Sequence, residues 1–381
     1  PLGGGGGGAR AMHLCVGPVG DARHYAHTAR ANVAQRPGPA ATASSRQHPS
    51  RFPVVQSKHG IQLYSTTAGV TMPRCYHVRM DMTLAIVTCV VLLVVAIAVV
   101  TVILVRRHRR SREIFLKFDT MAGPCRVFTV ERKEGLVRMM NVAGTMQSGT
   151  YLDDDTYCDL AFSYTRDYDC MFLAGVPVRD VLVLGGGGYS YPKHLIAHRP
   201  ETFVTCVEID PVVTAIARRY FFLDRLFEEY DLDETGRLQL VEGDAREFLE
   251  QSDERYDAIV NDCFAGMSLV ESLATREAAQ LYHEHLREDG VYLSNVIGAV
   301  EGPRSRAMRR ILRTLASEFA HVYVSPGQPA ALSNCDNNVV IATDGDWRFP
   351  GAIELEAWEL ADAEVLLDAT AADEDWMVPT A

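Results

Sequence analysis

Three carboxylates in this sequence each follow a short apolar run that is typical of a buried β-strand. They are Glu208 in VEID, Asp244 in VEGDA and Asp262 in VNDCF. A fourth apolar run, VLVL, leads into four glycines at 185–188. In an open α/β sheet, ligands bind beyond the carboxyl ends of the strands, where glycines allow close backbone approach and helix starts offer free N–H groups. The spacing therefore predicts one binding site that gathers a glycine loop and three acidic side chains.

Two of the carboxylates stand where a nucleoside would need them. Glu208 ends the second strand of the series, where it can accept hydrogen bonds from both hydroxyls of a ribose. Asp244 ends the third strand, where it can accept a hydrogen bond from an adenine amino group. The structural alternative is that Asp210 and Asp244 simply cap the helices that follow them. Together with the glycine loop, Glu208 and Asp244 predict a pocket for an adenosine.

The glycine loop itself favours a nucleoside without phosphates. Gly185, Gly186 and Gly187 let the backbone approach a ligand, but the dinucleotide fingerprint also needs a later glycine. In either register Ser190 or Tyr191 stands at that place. A side chain there argues against a pyrophosphate lying on the helix. We therefore expect a sulfonium nucleoside, bound as a co-substrate.

Asp262 is the candidate catalytic residue. Transfer from a sulfonium carbon to an amine is an in-line displacement in which the amine must lose a proton. A carboxylate at the same edge of the sheet can orient the amine and accept that proton. The alternative is a structural Asp that caps or forms an ion pair at a strand end. We expect no metal, because the nine cysteines lack metal-ligand spacing and indicate a reducing compartment.

The elements that must position these residues follow from apolar runs and their breakers. The predicted strands are 181–184, 203–208, 238–241, 258–260, 291–296, 321–324 and 338–342, and the predicted helices begin at 192, 211, 245, 275 and 304. The last two strands have no helix between them, which suggests an antiparallel edge. The pattern predicts an α/β fold with a Rossmann-like, seven-stranded sheet of the class I methyltransferase type. Runs from Cys125 onward predict a small antiparallel β-hairpin subdomain before it.

The apolar run 84–105 predicts one transmembrane helix. It carries no charge and is long enough to cross a bilayer. RRHRRSR follows at once, and the positive-inside rule then places everything after Val105 in the cytoplasm. A cleaved signal peptide is the rival interpretation, but the run is too long and no small-residue cleavage site follows it. We therefore expect a single-pass protein of the cell membrane.

These observations divide the chain into six predicted parts. They are a disordered or spurious N-terminal extension (1–80), the transmembrane helix (82–105), a basic juxtamembrane linker (106–116), the β-hairpin subdomain (117–175), the nucleoside-binding catalytic domain (176–346) and an acidic tail (347–381). The extension is either an extracytoplasmic tail or translated sequence upstream of a natural start at Met80 or Met82, and we favour the second.

Charge is distributed unevenly along the chain. The net charge of −12 and the pI near 5.5 give no reason to expect a nucleic-acid partner. No Lys or Arg follows Arg348, so the acidic tail is expected to be a solvated surface. The predicted helix 304–319 carries five arginines, which indicate either a solvated face or a contact with anionic lipid.

In their order along the chain, these motifs resemble those of the spermidine synthase family. The matching stretches, from about 125 to 344, are GTMQSGTYLDDDTYCDLAFSYTRDY, VLVLGGGG, VEID, EGDAREFL, YDAIVNDCF and LREDGVYLSNVIG. The loop GGGGYSYP is similar to that of bacterial spermidine-synthase-like proteins fused to membrane segments. The resemblance implies that Gln147 contacts the nucleoside, that Tyr164 lines the channel of an amine acceptor, and that two copies pair as a homodimer. It also implies decarboxylated S-adenosylmethionine as the co-substrate.

Two positions depart from the family pattern. Gly188 stands where the family has an Asp that binds the donor's amino group, and Ala265 replaces the second Asp of the catalytic loop. A dication such as putrescine needs acidic partners, and the site has lost them. Gly188 also removes a negative charge that would repel the carboxylate of ordinary S-adenosylmethionine. Both changes therefore favour methyl transfer. Three hypotheses stand: aminopropyl transfer to a polyamine, methyl transfer on the same fold, and a non-catalytic, membrane-tethered nucleoside-binding protein. The intact Glu208, Asp244 and Asp262 argue against the third, and we favour the first because the resemblance to the family extends through the fold and the order of its motifs.

Overall fold

The computed structural model describes residues 82–266 and 268–371, so the predicted extension 1–80 lies outside the described residues. The first element, α1 (Met82–Arg112), contains the apolar run. Its segment Leu84–Leu104 has a mean hydropathy of 3.3 and none of it is buried, and by length and composition it can cross a bilayer. The helix does not end at 105 as predicted. It continues through the predicted linker to Arg112, because arginine is a good helix former.

A four-stranded antiparallel sheet follows α1. Its strands are β1 (Phe115–Thr120), β2 (Gly123–Arg132), β3 (Gly135–Val142) and β4 (Thr145–Tyr151), each paired with the next. One face of this sheet buries Cys125, Val127 and Met140 in the same hydrophobic cluster as Val181 and Val183 of the following sheet. The hairpins and the larger sheet therefore share one core.

The remaining elements alternate between helix and strand over most of their length. In chain order they are α2 (Ser163–Asp167), α3 (Cys170–Leu173), β5 (Asp180–Leu184), α4 (Ser190–His198), β6 (Phe203–Glu208), α5 (Pro211–Tyr220), α6 (Leu223–Glu229), α7 (Leu232–Thr235), β7 (Leu238–Glu242), α8 (Ala245–Gln251), β8 (Tyr256–Asn261), β9 (Phe264–Ala265), β10 (Ser268–Leu269), α9 (Arg276–His285), β11 (Leu286–Gly298), α10 (Arg306–Leu315), β12 (His321–Pro326), β13 (Asp336–Thr343), β14 (Ile353–Glu354) and α11 (Asp368–Ala371).

The larger sheet confirms the predicted α/β class. Its strand order is β14-β12-β13-β11-β8-β5-β6-β7, and β11, β8, β5, β6 and β7 are parallel. The sheet has eight strands and not seven, because the two-residue β14 adds to β12. The last two long strands, β12 and β13, pair antiparallel as predicted, and β13 lies between β12 and β11. Its run Val339–Ala342 is fully buried, as an internal strand requires.

The strand order creates the crevice that the sequence predicts. From β5 the chain passes to β6 and β7 on one side, and later to β8 and β11 on the other. The carboxyl end of β5 is therefore the point where the strand order reverses, and open α/β sheets bind their ligands there.

The acidic segment after Arg348 is more than the solvated surface that its charge predicts. Leu360 and Leu366 are completely buried in the cluster formed on one side of the sheet. Ile353–Glu354 pairs with β12 as an edge strand. A few apolar side chains are thus enough to dock a segment whose composition is mostly acidic.

The same segment engages the arginines of α10. Arg309 donates to the carboxylate of Asp362, and the buried Arg310 lies 3.4 Å from Glu364. These two arginines therefore do not form the solvated or lipid-facing surface that the sequence suggests, because carboxylates from the C-terminal segment neutralise them.

Candidate active site

One cavity of about 220 Å³ lies at the carboxyl ends of β5, β6, β7 and β8. The side of the cavity that faces away from these strand ends is lined by the β1–β2 turn and by the strand β4. All eight site residues predicted from the sequence line it: Gln147, Tyr164, Gly185, Gly186, Gly187, Glu208, Asp244 and Asp262. The fold therefore gathers residues that are up to 115 positions apart (262 − 147) around one volume.

The glycine loop approaches the neighbouring strand closely. Gly185 has φ +92°, and a Cβ placed on it would lie 2.8 Å from the carbonyl oxygen of Asp262. Only glycine fits that conformation and that contact. The helix after the loop begins at Ser190, two residues before the predicted start at Pro192, because Tyr189 adopts a left-handed conformation just before it.

Glu208 fixes the glycine loop. Its Oε2 accepts the N–H groups of Gly186 at 2.9 Å and Gly187 at 2.8 Å, while its Oε1 accepts the N–H of Asp210 at 3.0 Å. A carboxylate can accept about four hydrogen bonds, so capacity remains for a ligand. The end of β6 and the glycine loop are thus tied together beside the cavity.

Asp244 and Asp210 act as helix caps, as the structural alternative predicts. Oδ1 of Asp244 accepts the N–H groups of Arg246 at 2.8 Å and Glu247 at 3.0 Å at the start of α8. Asp210 accepts the N–H of Val212 at 2.9 Å at the start of α5. Asp244 also lines the cavity, and both of its capping bonds use one oxygen. Capping and ligand contact are therefore compatible for this side chain.

Asp262 is held by two tyrosines. Tyr168 donates to Oδ1 at 3.0 Å and Tyr164 donates to Oδ2 at 3.4 Å. Burial raises the pKa of Asp262, and hydrogen bonds from Tyr168, Asn295 and Tyr164 lower it. Burial is the larger effect, so the pKa of Asp262 is about 7. Burial and the nearby Asp262 raise the pKa values of both tyrosines well above the usual value for tyrosine. The two phenols therefore remain protonated and donate their hydrogen bonds. A carboxylate that titrates near neutral pH can accept a proton from an amine and release it again.

Sequence analysis missed Tyr168 and Asn295. Tyr168 lies four positions after Tyr164, the spacing that places side chains on one face of a helical turn. Ser294 of β11 pairs with Asn261 of the parallel strand β8. The next residue on each strand is Asn295 and Asp262, so these two residues lie side by side. Strand register was the signal that could have identified it.

The position of Gly188 has no room for a side chain. A Cβ there would lie 2.4 Å from Oγ of Ser148 and 2.9 Å from the ring of Phe221. Oγ of Ser148 lies 3.0 Å from Oγ of Ser190, and both serines line the cavity. Neutral hydroxyls thus stand next to the position where the family resemblance expects a carboxylate. The side chain of Ala265, the other departure, falls outside the described part of the chain.

The family resemblance is confirmed by comparison with known proteins. Residues 168–324 match the family described as the spermine/spermidine synthase domain. A polyamine aminopropyltransferase of Chromobacterium violaceum is 30% identical over 164 residues, which are 43% of this chain and 59% of that protein. An N-terminal histidine N-methyltransferase of Emericella nidulans is 36% identical over 135 residues, which are 33% of this chain and 22% of that protein. The chain therefore spans at most 59% of the length of these two relatives.

A solved structure shares the fold. The crystal structure of a probable spermidine synthase from Corynebacterium glutamicum superposes with a TM-score of 0.56 at 18% sequence identity. The match covers 67% of this chain and 96% of that one. It supports the α/β architecture described above.

Proposed function

We propose that this chain is a membrane-anchored, spermidine-synthase-like transferase that serves polyamine biosynthesis. It moves an aminopropyl group from decarboxylated S-adenosylmethionine to a putrescine-type amine. The observation that carries the proposal is Asp262, a carboxylate with a pKa of about 7 that faces the same cavity as the glycine loop. The relatives named as polyamine aminopropyltransferases support this choice of reaction.

In this proposal the donor nucleoside lies against the glycine loop. Glu208 accepts one ribose hydroxyl through the lone pair that remains on Oε1, since three backbone N–H groups already donate to this carboxylate. Asp244 accepts the adenine amino group through the oxygen that does not cap α8, and Gln147 contacts the nucleoside from β4. Gly185, Gly186 and Gly187 allow the ligand to approach the backbone. The aminopropyl carbon attached to sulfur then points towards Asp262.

The reaction balances without any further reactant. The amine nitrogen of the acceptor donates its lone pair to the aminopropyl carbon as the carbon–sulfur bond breaks. The bonding pair returns to sulfur, which leaves as the neutral thioether of methylthioadenosine. Asp262 takes the proton that the nitrogen loses, and Tyr164 and Tyr168 hold the carboxylate in place. About half of the Asp262 carboxylate is ionised at pH 7, as a base at that pH requires.

Methyl transfer from S-adenosylmethionine is the second candidate, and the crowded Gly188 favours it. No carboxylate can stand at that position while Ser148 and Phe221 occupy the adjacent space. The donor's tail would meet neutral serine hydroxyls, which do not repel the carboxylate of ordinary S-adenosylmethionine. Asp262 would serve as the base in either reaction.

The membrane part of the proposal rests on α1. Its apolar segment is long enough to cross the bilayer of the cell membrane once, and by the positive-inside rule the arginines that follow it in the sequence favour a cytoplasmic catalytic part. We also propose a homodimer, as in the family that the chain resembles.

A donor comparison tests the proposal. The full chain in detergent would be incubated with decarboxylated S-adenosylmethionine plus putrescine, and separately with S-adenosylmethionine, and the nucleoside product identified by mass spectrometry. Methylthioadenosine from the decarboxylated donor alone is the expected result. Turnover of S-adenosylmethionine to S-adenosylhomocysteine would establish methyl transfer, and binding of either donor without any product would leave only a nucleoside-binding protein.

A further inference from the structure

The outer face of the β1–β2 hairpin carries two cations that face each other across the strands. The burial of β1 alternates, with Phe115, Lys117 and Asp119 exposed. Lys117 pairs directly with Arg126 of β2, which is also exposed. Like charges in that position destabilise a sheet. Neither cation forms an ion pair with any residue in 82–266 or 268–371, although Asp119 lies two positions along the strand.

Protection of the sheet edge does not account for this pair. β1 is the edge strand of the four-stranded sheet, and an edge lysine such as Lys117 prevents pairing with other chains. Arg126 lies on the inner neighbour, β2, where that purpose is absent. An anion lying over both side chains would turn the repulsion into attraction.

Chain continuity indicates which anion is near. Only two residues separate the end of α1 from β1, so the hairpin stays close to the membrane that the helix spans. The six residues of β1 extend about 20 Å at the usual rise per residue. The arginine-rich end of α1 precedes them in the sequence, and Phe115 adds an aromatic side chain that is 63% exposed. Basic and aromatic residues next to a membrane span are typical of contact with lipid headgroups.

The far end of the same hairpin forms the mouth of the cavity. Met121, in the β1–β2 turn, lines the cavity and is 70% exposed, and Ile209 lines it and is 47% exposed. The N–H of Met121 donates to Asp210 at 2.6 Å, which ties the turn to the loop after β6. The hairpin that carries the two cations therefore also forms one side of the cavity opening, and the loop after β6 forms another.

We infer that the outer face of the β1–β2 hairpin, formed by Phe115, Lys117 and Arg126, rests on anionic lipid headgroups of the membrane that α1 spans. This contact holds the cavity mouth at Met121 and Ile209 next to the bilayer surface. The acceptor then reaches Asp262 from the membrane–water interface. The inference rests on the membrane anchoring proposed above and not on the identity of the transferred group.

Photocross-linking of the full chain in lipid nanodiscs tests this inference. A photoreactive phenylalanine analogue would replace Phe115 in one variant and Trp358 in a matched one. Trp358 is 74% exposed, against 63% for Phe115, but it belongs to the segment beside β14, at the opposite end of the sheet from β7. The nanodiscs would contain either phosphatidylcholine alone or an equal mixture with phosphatidylglycerol. The expected result is a lipid adduct at position 115 that increases with phosphatidylglycerol, and none at 358.

Charge removal provides the second arm. Each cation near an anionic surface contributes about 1 kcal/mol, or about fivefold, so K117Q/R126Q should lower the adduct yield by up to about 25-fold. The control R179Q/R255Q removes two exposed arginines at the amino ends of β5 and β8 and should leave the yield unchanged.

Three results would overturn the inference. They are no lipid adduct at 115 in nanodiscs that contain the chain, an adduct insensitive to K117Q/R126Q and to lipid charge, or an adduct to a second copy of the chain. Failure of the chain to enter nanodiscs would overturn the proposed anchoring as well. The donor comparison measures the proposed reaction separately, because it is done in detergent.

Discussion

Replacing Tyr168 by Phe should move the pH dependence of the reaction without abolishing it. The hydroxyl of Tyr168 donates to Oδ1 of Asp262 at 3.0 Å, and this bond stabilises the ionised carboxylate. A hydrogen bond to a charged group contributes about 1.5–3 kcal/mol, and 1.4 kcal/mol corresponds to one pH unit. Its loss should therefore raise the pKa of Asp262 from about 7 by about one to two pH units.

The expected effect on rate follows from the ionised fraction. At pH 7 about half of the wild-type Asp262 is ionised, and about one tenth to one hundredth would be ionised in Y168F. The value of kcat/KM at pH 7 should fall about five- to fiftyfold and recover as the pH rises to about 9.5. The assay is nucleoside release measured from pH 6 to about 9.5, a range that brackets both midpoints. Y164F is the matched control, because its longer bond of 3.4 Å should give a smaller shift.

A Y168F profile with an unchanged midpoint would refute this reasoning. So would a uniform loss of activity at every pH, since that result would indicate that Tyr168 shapes the cavity without tuning Asp262. A larger shift in Y164F than in Y168F would show that the shorter hydrogen bond is not the stronger one.

Three further predictions concern the loop and the core beneath it. E208Q should raise the KM for the donor about tenfold with little change in kcat, because Gln has one acceptor oxygen and cannot accept the two glycine N–H groups and the N–H of Asp210 together. G188A should destabilise the fold by about 1–3 kcal/mol through its clash with Ser148, and S148G in the same chain should recover part of that loss in thermal unfolding. Burial lowers the pKa of Lys193 from 10.5 to about 7, so the folded state binds fewer protons than the unfolded state between these values. The free energy of unfolding of the wild type relative to K193M should therefore rise from pH 7 to about 9 in denaturant titrations, and a constant difference would contradict this assignment.

Much of the site could be predicted because it depends on strand order alone. Glu208 ends a strand, and Asp244 and Asp262 follow strands, whose apolar runs are visible in the sequence, and parallel strands bring their carboxyl ends to one edge. Gly185 was also predictable, because a strand that ends in a tight turn against a neighbour requires glycine.

What could not be predicted depends on contacts between distant segments. Tyr168 meets Asp262 across 94 positions, which no local pattern records. The burial of Leu360 and Leu366 was hidden by the acidic residues around them, and the pairing of Arg309 with Asp362 was hidden for the same reason. Composition describes the average surface of a segment, whereas docking depends on a few side chains.

The most direct test of the account compares donor binding and single-turnover chemistry in the wild type and in D262N. Asn is nearly isosteric with Asp and keeps one oxygen that accepts from a tyrosine hydroxyl, while its NH2 group can donate to the hydroxyl oxygen of the other tyrosine, but it cannot take a proton. If Asp262 is the base, the dissociation constant for the donor stays within about twofold, while the single-turnover rate falls by about 10²–10⁴. A D262N chain that turns over at the wild-type rate, or one that no longer binds the donor, would contradict the assignment of Asp262 as the base.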